Sequence, residues 1–117
     1  MKVVRYIIGQ ILLALNFLTQ PSLGRRSDEK QREVVEELKS YSLYQFNACP
    51  FCIKVRRVMR RLNLPIELKN ANTDEKLKAE LLVQGGSPKV PCLRIGDKWM
   101  YESNQIIKYL EERFPVS

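Results

Sequence analysis

Histidine is absent from all 117 residues, and cysteine occurs only three times, at Cys49, Cys52 and Cys92. Without histidine or a second Cys-x-x-Cys pair, a zinc site would have to take its four ligands from those thiols and a carboxylate, which argues against structural zinc. Three thiols beside 44% hydrophobic residues do not make a disulfide-stapled secreted domain either. No internal repeat or low-complexity run breaks the chain, and its length supplies one compact core. An apolar stretch opens the sequence, but no A-x-A-like site follows it, and Asn16-Phe17-Leu18-Thr19-Gln20-Pro21 is a poor cleavage context for a secretory leader.

What is present is a pair of thiols bracketing a proline, in Ala48-Cys49-Pro50-Phe51-Cys52. Tyr41 to Phe46 reads as a short strand. After Asn47-Ala48 the apolar residues Phe51, Val55, Val58 and Leu62 take up helical spacing. Cys49 therefore falls at a helix N-cap, with Pro50 at the first helical position, where its missing N–H costs nothing. The free N–H groups of that first turn and the positive end of the helix dipole favour a thiolate on Cys49. Cys52, one turn further on and more enclosed, is placed to attack a mixed disulfide formed on Cys49. Thiol–disulfide exchange is the chemistry this arrangement suits, in a reducing compartment where a dithiol can cycle. An iron–sulfur cluster shared between two chains is a second use of the same thiols, although the proline and the adjacent second thiol favour exchange.

The net charge of +7 suits anionic membranes, acidic peptides or nucleic acid about equally. No nucleic-acid reading module accompanies the charge, so nucleic acid is not expected as a partner. In residues 1–20, Val3, Val4, Ile7, Ile8, Ile11, Leu12, Leu15 and Leu18 recur at helical spacing, with Lys2, Arg5, Gly9, Gln10 and Asn16 largely off that stripe. Leu13, Ala14 and Phe17 widen the apolar face. Val3 to Leu18 covers roughly 24 Å, short of the ~30 Å hydrocarbon core. A helix lying on an anionic membrane surface, or a short anchor, is the expectation; packing on its own domain or on a partner is the alternative. If the segment spans, Arg25, Arg26, Lys30 and Arg32 outnumber Lys2 and Arg5, so the dithiol stays on the cytoplasmic side, attached to the inner face of the membrane. Pro21, Ser22 and Gly24 interrupt the stripe. Residues 21–39 read as a charged connector whose helix, Asp28 to Lys39, starts at Ser27-Asp28-Glu29 and has too few apolar residues for a deep core face.

Residues 40–117 form the domain. Pro65 to Lys69 alternates as a strand, and Thr73 to Gln84 reads as a helix capped by Thr73 and ended by Gly85-Gly86. Lys89 to Ile95 reads as a strand, Gly96-Asp97 as a hairpin turn and Lys98 to Tyr101 as its partner. A last helix carries Ile106, Ile107, Leu110 and Phe114. The order βαβαββα calls for an α/β fold: a mixed four-stranded sheet with a parallel first pair, an antiparallel hairpin and helices on both faces. The basic residues Lys54, Arg56, Arg57, Arg60 and Arg61 read as a solvated helix face, with anionic lipid as a second explanation.

With CPFC at the first domain helix, VPCL opening the third strand and YES starting the last helix, Ser40 to Pro115 resembles a glutaredoxin of the thioredoxin superfamily. It is most similar to the branch that resembles the N-terminal domain of glutathione transferases. The all-helical second domain of those proteins is expected to be absent, since the chain stops two residues after Pro115. The resemblance implies a glutathione-dependent oxidoreductase reducing glutathionylated proteins or protein disulfides, with Cys49 as nucleophile and Cys52 as resolving thiol. It implies a cis bond before Pro91, and glutathione held by Phe51 at the rim, by the backbone of Val90 next to Pro91, and by Glu102 and Ser103 at its γ-glutamyl end; no metal is implied. Phe46 departs from the pattern, because many glutaredoxins place there a lysine that meets a glutathione carboxylate; Arg56 or Lys89 are the candidate substitutes. Cys92 is expected to be buried on the opposite strand face from the dithiol. The competing readings are a membrane-associated cluster-binding module and a redox-regulated adaptor with little turnover.

Overall fold

The computed structural model describes residues 2–18 and 23–116. The break expected at Pro21 and Ser22, and the side chain of Phe17, lie outside the described residues. Two helices, α1 (Lys2–Leu18) and α2 (Asp28–Leu38), precede the domain. There follow β1 (Tyr41–Gln45), α3 (Pro50–Arg61), β2 (Glu67–Asn70), α4 (Glu75–Gly85), β3 (Cys92–Ile95), β4 (Lys98–Met100) and α5 (Ser103–Arg113). The sheet runs β2-β1-β3-β4, with β1 parallel to β2 and antiparallel to β3, and with β3 and β4 forming a hairpin. This is the expected α/β, thioredoxin-like βαβαββα domain with two helices in front of it.

Strand alternation divides the core into two layers. Leu43 and Leu93 face a cluster with Val55 and Met59 of α3, Ile106 and Leu110 of α5, and Phe114. Their neighbours Tyr44 and Cys92 face Ala71, just after β2, and Leu81 of α4, with Phe46, Trp99 and Tyr101 packed around them. Cys92 is thus buried on the α4 side of the sheet, as expected.

Element ends differ from the sequence reading where local chemistry overrides periodicity. The cap of α4 is Asp74, not Thr73: its carboxylate accepts from the N–H groups of Lys76 (2.9 Å) and Leu77 (3.3 Å), and its charge suits the helix N-terminus. Gly85 is the last helical residue, and Gly86 closes the helix with φ 90°, a left-handed conformation glycine adopts without strain. β2 begins at Glu67 rather than Pro65, and β3 begins at Cys92 rather than Lys89, because a cis Val90–Pro91 bond precedes it and proline has no N–H for a ladder.

The stretch read as a solvated connector is instead stapled to the domain. Leu38 is only 3% exposed and joins the main core, with Val34 packed beside it. Arg26, just before α2, donates to the carbonyls of Leu62 (2.5 Å) and Phe114 (2.6 Å), and Gln31 donates to that of Asn63 (3.0 Å). Leu62 and Phe114 cap the C-termini of α3 and α5, so these bonds satisfy carbonyls that the helices leave without partners.

α1 rests on the dithiol loop and α3 through a narrow face. Gly9 is its one buried residue among those described, Leu12, Leu13 and Asn16 are half-buried, and Asn16 accepts from Arg57 at 3.2 Å. A Cβ on Gly9 would stand 3.0 Å from that of Ala48, so glycine permits the close approach. The apolar stripe of Val4, Ile7, Ile11, Leu15 and Leu18 points outward and is exposed. No described helix is long and apolar enough to cross a membrane.

Candidate functional site

β1 delivers the dithiol loop to the edge of the core, and α3 begins in it. Cys49 is the N-cap of α3, with Pro50 at its first position, and its side chain makes no capping bond. Its carbonyl accepts the first helical bond, from Ile53 at 2.9 Å, and its own N–H reaches the Phe46 carbonyl at 3.3 Å. The thiol is half-buried and stands at the open end of the helix dipole. Cys52 is fully buried one turn later and receives the Phe46 N–H at 3.5 Å. Burial pushes its thiol up to about 12, with the neighbouring Cys49 sulfur adding to the rise, while the Phe46 N–H and Arg56 oppose it. Two thiols of one turn therefore differ sharply: one accessible, one held protonated.

The loop is fixed from below by a polar hub that periodicity did not reveal. Gln45, fully buried, donates to Asn47 (2.9 Å) and Asn70 (2.5 Å) and accepts from Arg56. Arg56 also donates to the carbonyls of Asn47 (2.7 Å) and Phe46 (3.4 Å). Arg56 is therefore committed to clamping the loop, and burial lowers its pKa while both thiols counter that effect. The clue in the sequence is three amide side chains at the ends of β1 and β2 with an arginine one turn past Cys52. Phe46 fills the place of the expected lysine by packing against the Tyr44–Leu81–Cys92 cluster.

Phe51, Val90, Pro91, Glu102 and Ser103, singled out above, come together with Lys89 and Tyr101 around one cleft of about 270 Å³. Phe51 is 61% exposed, a rim position rather than core. Glu102 is the N-cap of α5 and Ser103 its first residue, so the helix N-terminus opens onto the cleft. Tyr101 pins the segment before the cis-proline: its hydroxyl receives the Ser87 N–H (3.3 Å) and donates to the Ser87 carbonyl (3.0 Å). Burial also raises the Cys92 thiol, to about 11, while hydrogen bonds from Tyr101 and the Met100 backbone oppose the rise. Cys49 itself lines a larger cavity of about 710 Å³ with Phe46, Ala48 and Pro50 on one side and α1 on the other. Among the described residues, no group of Cys, Asp and Glu is arranged to hold a metal ion.

A mixed four-stranded sheet with Cys-Pro-Phe-Cys at the start of α3 and a cis-proline before β3 defines a thioredoxin-like protein with a dithiol site. Solved structures share that fold. Wheat glutaredoxin superposes with a TM-score of 0.51 at 16% identity, over 75% of this chain and 87% of that one. Glutathione transferase Omega 3C from Trametes versicolor gives 0.56 at 23% identity, over 80% and 42%. Residues 43–117 match the glutathione S-transferase N-terminal domain, and the chain belongs to that family, in the branch it shares with glutaredoxins. Among curated relatives, the chloroplastic glutathione S-transferase DHAR3 of Arabidopsis thaliana is 34% identical over 67 residues, and glutaredoxin 2 of Escherichia coli K12 is 32% identical over 71. These alignments take in 57% and 60% of this chain but only 26% and 32% of the two relatives.

Proposed function

We propose that the chain is a glutathione-dependent thiol–disulfide oxidoreductase, a dithiol glutaredoxin acting on glutathionylated proteins or protein disulfides. The contrast between Cys49 and Cys52 carries this reading. The Cys49 thiolate attacks the glutathione sulfur of a glutathionylated substrate; the substrate leaves as its thiolate, and a Cys49–glutathione disulfide remains. A second glutathione thiolate attacks that glutathione sulfur, releasing glutathione disulfide and regenerating Cys49. With a protein disulfide, Cys49 first joins one protein sulfur, and Cys52, losing its proton, then attacks Cys49, freeing the protein thiol. A Cys52 thiol pushed up to about 12 is a slow attacker, which favours the first route. In the cleft, Val90 offers backbone groups to the cysteinyl part of glutathione, Phe51 and Pro91 flank it, and Glu102 and Ser103 receive the γ-glutamyl end at the α5 N-terminus. Lys89 is the cation available there for the glycine carboxylate, since Arg56 is engaged in the loop.

The outward stripe of α1 supports a location for this activity. With Val4, Ile7, Ile11, Leu15 and Leu18 exposed on one face and a net charge of +7 on the chain, α1 lies on an anionic membrane surface, at the cytoplasmic face.

The test is glutathione-dependent reduction of a glutathionylated peptide by the full chain. Cys49→Ser should abolish turnover, and Cys52→Ser should retain it while losing reduction of a protein disulfide. Absence of turnover in the wild-type chain would overturn the enzymatic reading.

A further inference from the structure

We propose that α1 turns the flank of Cys49 into a pocket for the leaving half of a mixed disulfide, and that this half is a small, apolar, anionic thiol. The proposal deepens the reading of Cys49 as nucleophile and rests on it. Arg5, Tyr6, Ile8, Gly9 and Leu12 form one wall of the 710 Å³ cavity, and Phe46, Cys49 and Pro50 form another. That volume falls within the roughly 300–1,000 Å³ typical of small-molecule sites. The α1 wall lies outside residues 43–117, so it is an addition to the family's domain rather than part of it.

The lining determines the ligand. Tyr6, Ile8, Leu12, Phe46 and Pro50 offer apolar surface, and Asn72 offers an amide. Arg5 is the charged residue of the wall, and among the described residues it has no ion-pair partner. Glutathione, a zwitterionic peptide, needs paired backbone groups and sites for both ends; the cleft at Val90 and Ser103 offers those and this cavity does not. An aromatic or aliphatic thiol bearing a carboxylate fits both the apolar walls and the lone cation. When the Cys49 thiolate attacks the glutathione sulfur of such a disulfide, the S–S bond breaks. The electron pair leaves on the other sulfur, as a thiolate inside the cavity with its anionic end towards Arg5. Gly9 sets the width of the cavity, because a Cβ there would already stand 3.0 Å from that of Ala48 and a larger side chain needs more room between α1 and the loop.

The experiment uses the full chain with Cys52→Ser, so that Cys49 is the accessible thiol, and needs no glutathione. Rates of Cys49 oxidation are measured with dithiobis(nitrobenzoate), an apolar anionic disulfide, and with neutral hydroxyethyl disulfide, each divided by the rate for N-acetylcysteine. The expected result is a normalised preference for the aromatic carboxylate of about tenfold, the scale on which apolar pockets discriminate. Leu12→Gln and Gly9→Val should both remove most of it, Arg5→Gln should reduce it while helix packing stays intact, and Gln10→Ala on an exposed α1 position should leave it unchanged. No preference, or one that survives all three lining variants, overturns the pocket. A chain that shows the preference yet fails to turn over glutathionylated peptide would keep the pocket and lose the glutathione reading.

Discussion

α2 carries only Val34, Val35 and Leu38 as apolar residues, yet it is fastened to the domain, whereas α1 is apolar along most of its length and leaves its widest stripe to solvent. The difference lies in what each helix meets. α2 arrives where α3 and α5 end, and those ends present carbonyls without helical partners; the Arg26 guanidinium and the Gln31 amide satisfy them, and Leu38 completes the core. α1 meets the dithiol loop through Gly9 and α3 through contacts that include an Asn16–Arg57 bond, and these need small and polar residues. Apolar content alone therefore does not decide which segment docks. Unsatisfied polar groups on the receiving surface and room for close approach decide it.

Three substitutions, in descending order of effect, and one change of pH test that contrast. Leu38→Ala empties a buried core position and should destabilise the chain by about 3 kcal/mol in urea unfolding; a loss under 1 kcal/mol would mean that α2 is ornamental. Arg26→Ala leaves two helix-end carbonyls without their charged donor and should cost about 2 kcal/mol. Pairing Ile7→Ser with Ile11→Ser should change stability by no more than about 0.5 kcal/mol, yet weaken sedimentation with anionic vesicles; undiminished vesicle binding would remove the membrane role. The remaining test is alkaline. Burial raises Cys52 to about 12 and Cys92 to about 11, so between about 8.5 and those values the unfolded chain releases thiol protons that the folded chain retains. Stability should therefore fall as pH rises through that window, less steeply in Cys92→Ala, and with the same slope in the α1 and α2 variants.

Most of the domain could be read from the sequence because it depends on local rules. Proline after Cys49, glycine after α4 and the apolar spacing of α3 and α5 are each interpretable within a few residues. The cleft was legible through the family resemblance, which the short motifs at Val90-Pro91 and Tyr101-Glu102-Ser103 carry. What was not legible depends on residues distant in sequence. Gln45 is one of many polar residues until Asn70 and Arg56 converge on it, and Gly9 looks like a flaw in a helix until Ala48 is seen beneath it. Arg26 offers no sign that two helix ends will reach it. The role assigned to α2 went astray for that reason: hydrophobicity was counted along the segment, whereas its docking is settled by carbonyls tens of residues away.

Gly85 sits at the end of α4, where a Cβ would come within 2.8 Å of a Trp99 ring carbon and closer still to the Tyr101 hydroxyl. The hydroxyl that fills this space is the one that holds Ser87 on the way to the cis-proline. Positions 85, 99 and 101 are therefore not free to drift one at a time through descent. A larger residue at 85 requires a smaller partner on β4 or just after it, and a change at 101 that relieves the crowding also unpins the wall of the cleft. The end of α4 thus constrains which sequences can inherit this site.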